Sequence, residues 1–86
     1  MSRLPRLTGR DIVAALSRGG FRLLHVRGSH HYLEPPGGKG LVTVPVHAGK
    51  IVKPGTLKNI LEQADLSIEE FIDLLYPIAP CVYSPD

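Results

Sequence analysis

Phe21-Arg22-Leu23-Leu24-His25-Val26-Arg27-Gly28-Ser29-His30-His31-Tyr32-Leu33-Glu34 decides the fold, because it reads as two short strands joined at Gly28-Ser29. Gly28 takes the positive φ that a two-residue hairpin needs and Ser29 is a common turn residue, so the chain reverses there. Period-two alternation in the first run sets Phe21, Leu23 and His25 on one face and Arg22, Leu24 and Val26 on the other. In the second run it sets His30, Tyr32 and Glu34 opposite His31 and Leu33. The hairpin thus carries the chain's only adjacent pair of histidines. Imidazole as a class titrates near pH ~6.5, which suits proton transfer at cellular pH.

Outward from this hairpin the remaining elements follow from local signals. Residues 1–6 read as a loose basic arm. Thr8 with Asp11 forms a capping-box pattern, with Leu7 placed to staple on Ile12, so a helix starts there. Ile12, Val13, Ala15 and Leu16 give it one apolar stripe, and Gly19-Gly20 stops it after about Arg18. Past the second strand, residues 35–40 are rich in Pro and Gly and make a loop. Residues 41–45 read as a third strand, completing an antiparallel meander, and residues 46–53 as an irregular basic loop. Pro54 opens a second helix whose Leu57, Ile60, Leu61 and Ala64 recur at i, i+3, i+4 and i+7. Ser67 with Glu70 opens a third, carrying Ile68, Phe71, Ile72 and Leu75. This order predicts an α+β fold, a double-stranded-RNA-binding-domain-like α-β-β-β-α sandwich with an additional short C-terminal helix. The helices cover one sheet face and leave the other for a ligand or partner.

Eighty-six residues suffice for one domain that buries roughly 60% of its unfolded surface, and a second domain does not fit. The expected domain spans residues 1–86, with a core over about 8–75 and a proline-containing tail at 76–86 that frays or drapes over the surface. The apolar runs are too short to span a bilayer, and the first residues lack the apolar stretch of a secretory signal. The single Cys81 forms no intrachain disulfide and leaves no Cys partner for zinc; a cytoplasmic location is expected. Charge is segregated: residues 1–58 hold all ten Lys and Arg against Asp11 and Glu34, whereas 59–86 hold six acids and no base. Such asymmetry fits a side that faces a polyanion, although an acidic helix that neutralises its own neighbours gives the same pattern.

Four motifs together resemble the HicA family of small toxins, the YcfA-like mRNA interferases that pair with a HicB antitoxin. They are Gly19-Gly20-Phe21 at the end of the first helix, Gly28-Ser29-His30 with His31, Val42-Thr43-Val44-Pro45 with His47, and Lys53-Pro54-Gly55-Thr56-Leu57-Lys58 running into Ile60, Leu61 and Ala64. The match covers about residues 8–71 in order and spacing. The resemblance implies metal-independent cleavage of mRNA by one histidine and neutralisation by a tightly bound HicB-like antitoxin, with no cofactor. By position His30 matches the family histidine, with His31 the runner-up.

RNA carries its own nucleophile, the 2′-OH, so cleavage asks only for a proton acceptor, positive charge at the phosphorane and in-line positioning. His30 is the candidate for the proton, with Arg27, Lys39 or Lys50 for the charge. Arg22, Arg27, Lys39, His47, Lys50, Lys53 and Lys58 are candidate phosphate contacts, and Tyr32, on the His30 face, is a candidate for stacking on a base or for covering the sheet against an antitoxin. His31, on the opposite face, fits a supporting role in packing or RNA contact. His25, placed with Phe21 and Leu23, fits a semi-buried histidine with no ligand role. Gly55 and Thr56 more simply shape a helix start. A metal site is not expected, because His30 and His31 point to opposite faces and no Cys or carboxylate cluster completes one. The alternative function is a non-catalytic module that holds RNA by shape and backbone, and a third is a protein-interaction domain using the open sheet face.

Overall fold

In the computed structural model, which describes residues 6–76, the first helix begins at the expected cap. The Asp11 N–H donates to Thr8 Oγ1 (3.2 Å) and the Thr8 N–H to Asp11 Oδ2 (3.1 Å), closing the capping box of α1 (Gly9–Arg18). Gly19 follows as the C-cap, its N–H directed at the carbonyls of the last turn. The strands are β1 (Arg22–Arg27), β2 (His30–Glu34) and β3 (Val42–Pro45), followed by α2 (Pro54–Ala64) and α3 (Ile68–Leu75). This is the expected α+β arrangement, α-β-β-β-α with a further helix. The basic arm and the proline-containing tail, apart from Arg6 and Tyr76, lie outside the described residues.

The three strands form one antiparallel sheet in the order β1-β2-β3. Gly28, at φ +60°, is followed by Ser29 at negative φ, the pattern of a type II′ turn whose twist matches that of the flanking strands. The Val46 N–H donates to the Ser29 carbonyl (2.6 Å), tying this turn to the exit of β3.

Leu33, Val42 and Val44 point into the core with Ile12, Ala15 and Leu16 of α1, Leu57, Ile60 and Leu61 of α2, and Phe71 of α3. All three helices therefore cover the same side of the sheet, and among the described residues nothing covers the opposite side. At Gly9 an added Cβ would run into the Pro45 carbonyl and the Val46 backbone, so the first turn of α1 rests directly on the end of β3. α3 docks on α1: the Arg18 Nε–H donates to the Leu74 carbonyl (2.6 Å), satisfying a helix end that would otherwise lack partners. Among the described residues, no helix is long and apolar enough to cross a membrane.

One expected pattern fails, in β1. Leu23 pairs with Leu33, but His25 pairs with Tyr32, leaving Leu24 as an extra residue in a β-bulge. Because side chains alternate with period two, one extra residue transfers all that follows to the other face. His25 therefore lies on the open face and Val26 on the helix side. Among the described residues no helix closes over this strand: Leu23, Leu24 and Val26 are 43%, 45% and 49% exposed. The other edge is better covered, for Gln63 of α2 accepts the Thr43 N–H through Oε1 (2.9 Å).

Candidate functional site

The register arranges the open face as rows across the sheet. At the hairpin end Arg27, His30 and Pro45 stand side by side. One row further along come His25, Tyr32 and Thr43, and at the far end Arg22 stands beside Glu34. The His25 and Tyr32 rings are stacked, 4.6 Å apart at 21°, and the His30 ring is 6.5 Å from Tyr32 at a tilt of 37°. Three aromatic rings thus form one connected surface, with His30 exposed at its hairpin end.

Beyond Pro45 the loop of residues 46–53 turns into the first turn of α2. Pro45, His47, Lys50, Ile51, Val52, Lys53 and Thr56 line a pocket of about 320 Å³ there. His47 also borders a neighbouring cleft of about 440 Å³ whose lining includes Thr8, Arg10 and Gly49. Neither lining contains a carboxylate, and α2 opens at Lys53 with no acidic residue in its first turn. The positive end of that helix dipole and the lysines therefore act in the same direction, toward an anion. Five acids, Glu62, Asp65, Glu69, Glu70 and Asp73, lie instead on the exposed surface of the second half of α2 and of α3. The charge asymmetry of the chain is thus an asymmetry in space.

The candidate residues divide accordingly. Arg27, His30 and Tyr32 share the open face, and His47, Lys50 and Lys53 surround the pocket beside Pro45, the cross-strand neighbour of His30. Arg22 does not join them, because its Nη2 is held by Glu34 Oε1 at 2.8 Å. Lys39 belongs to the loop past Glu34, at the other end of β2 from His30, roughly 13 Å along the strand at ~3.3 Å per residue. His31 lies on the helix side between Val26 and Val44, half-buried, with its Nδ1 buried and unpartnered. Lys58 is exposed on α2, one turn past the pocket.

Sequence reasoning misses three residues at this end. His25 reads as a member of the apolar face, a placement that the bulge overturns. Arg10 carries no signal and Thr43 none beyond its place in a strand motif, since only the docking of α1 on β3 and the β2–β3 register bring them in. Among the described residues no three His, Cys, Asp or Glu side chains gather as metal ligands do.

A family model described as HicA toxin of bacterial toxin-antitoxin matches residues 9–66. The match runs from the start of α1 past the end of α2, spanning the open face and the basic pocket but not α3. No curated protein matches the chain.

Proposed function

The chain belongs to the HicA toxin family of bacterial toxin–antitoxin systems, and from that premise we propose that it is an endoribonuclease that cleaves mRNA through His30 and is silenced by a HicB-like antitoxin. The observation that carries this reading is the row Arg27–His30–Pro45, with an exposed imidazole between an arginine and a pocket lined by His47, Lys50 and Lys53.

In the proposed reaction His30 accepts the proton of a ribose 2′-OH. That oxygen attacks the adjacent phosphorus in line, and the P–O bond to the 5′-oxygen of the next nucleotide breaks. The products are a 2′,3′-cyclic phosphate and a 5′-hydroxyl, the latter protonated by the imidazolium or by water. Arg27 on one flank and the Lys50–Lys53 pocket on the other balance the charge that builds on the phosphorane. The nucleophile is the RNA's own, so no metal is needed to generate one. Proton transfer by one imidazole supplies about 10² to 10⁴ in rate, sufficient for a slow toxin whose damage accumulates. The geometry favours His30 over His31, whose ring faces the helix layer between two valines. An antitoxin that covers the open face hides His30 and the arginine together.

Incubating the purified protein with a long unstructured RNA in excess EDTA, beside His30→Ala and His31→Ala, tests this. Cleavage should survive in His31→Ala and fall at least ~10²-fold in His30→Ala. RNA that is bound at low salt but left intact by the wild type would overturn the nuclease reading in favour of a binding module.

A further inference from the structure

The second row of the open face has no part in the proton transfer, yet it is built around a large ring. Tyr32 is half-buried, with the His25 imidazole stacked against its β1 side at 4.6 Å. On its β3 side the cross-strand neighbour is Thr43, a small side chain. One face of the phenol ring is thus taken by His25, the His30 ring lies 6.5 Å away at a tilt of 37°, and the side toward β3 holds only the small Thr43. That open side is also the side of Pro45 and the basic pocket. A nucleobase fits such a slot, because every base presents a flat π-face and stacking is tolerant of sequence.

We propose that Tyr32, with Thr43 as floor and His25 as brace, forms a stacking slot for one unpaired RNA base next to the phosphate addressed by His30, making single-stranded RNA the substrate. This rests on the endoribonuclease reading and adds to it. A base inside a duplex is stacked on its neighbours and cannot enter, so paired RNA is excluded by the slot and not by the catalytic row. Tyr32 touches the base. His25 is a positioning residue: it lies on the far side of the ring and keeps the phenol upright, and any flat ring in its place should do the same.

The bulge at Leu24 is what makes this brace. Without the slip His25 would face the helix layer and Leu24, which has no flat ring to stack, would stand beside Tyr32 instead.

The test uses 2′-O-methyl oligonucleotides, which cannot be cut because the nucleophile is blocked, each with one 2-aminopurine. The full chain should quench 2-aminopurine fluorescence in single-stranded octamers and not in the matching duplexes. Tyr32→Leu should lose the quench and raise KM for unmodified RNA roughly tenfold, with kcat changed far less. His25→Ala should show part of that effect, and His25→Phe should restore it. Absence of quenching by a wild type that still cleaves unmodified RNA would overturn the slot and leave the nuclease reading standing. Equal quenching of duplex and single strand, or unaltered quenching in Tyr32→Leu, would also overturn it. Quenching lost in Tyr32→Leu, from a wild type that cuts nothing, would uphold the slot while removing the nuclease.

Discussion

Replacing Phe71 by alanine should cost the fold about 3–5 kcal/mol, although this residue lies outside the segment that matches the family. The side chain is 0% exposed and heads the fully buried residues by volume, within the cluster that joins α1, α2 and the sheet. Removing its ring leaves a cavity that the surrounding core fills only in part. For 86 residues a total stability of about 4–13 kcal/mol is expected at ~0.05–0.15 kcal/mol per residue. The substitution therefore consumes a large share of it, and at ~4–8 °C per kcal/mol the midpoint should drop by at least ~12 °C. Phe71→Leu, which keeps most of the volume, should cost less than ~1.5 kcal/mol. Urea unfolding followed by far-ultraviolet circular dichroism reads both values, provided the slope is unchanged. A loss below ~1 kcal/mol for the alanine variant would refute the reasoning. It would mean that α3 is held only by its outer contacts, such as the Arg18 bond to the Leu74 carbonyl, and melts apart from the rest.

Gly9→Ala should destabilise by about 1–3 kcal/mol through its clash with the Pro45 carbonyl, while Gly55→Ala, whose added methyl meets nothing within 4 Å, serves as the control; thermal melts of the two separate them. Lys50→Ala and Lys53→Ala should each weaken single-stranded RNA binding and lower the slope of log affinity against log salt by ~0.7 for each phosphate left without its lysine. Lys39→Ala, at the far end of the sheet, should leave that slope unchanged in the same titration.

The parts of this molecule that are legible in its sequence are those decided within a few residues of chain. Thr8 with Asp11 and Ser67 with Glu70 close their capping boxes through bonds that span three residues, so no knowledge of the tertiary structure is needed. The stripe Leu57, Ile60, Leu61, Ala64 is buried throughout, because helical period alone sets its face. The opposite facing of His30 and His31 follows in the same way from the period of a strand. What stays hidden depends on pairing. A bulge belongs to two strands at once, and nothing in residues 22–27 says that Leu24 will be left over. The apolar run Leu23-Leu24 even argues the wrong way, since it invites a face for each leucine. Gly9 looks like one more helix residue until β3 is laid beneath it. Arg22 and Lys39 look like Arg27 and Lys50 until the register sends them to the other end of the sheet.

Where the irregularity sits has a consequence for how the gene can vary. β1 is an edge strand, so its surplus residue disturbs a single ladder, and the pairing recovers at His25. Deleting Leu24 would leave Arg22, Leu23, His25, Val26 and Arg27 in unbroken alternation with their present partners, so a one-codon loss there is a mild event. The same loss or gain inside β2 would either exchange the faces of His30 and His31 or turn Leu33 out of the core, and it would disturb two ladders at once. Tolerance of insertions and deletions therefore differs sharply between neighbouring strands, and the strand that carries His30, the proposed proton acceptor, is the one that cannot change length.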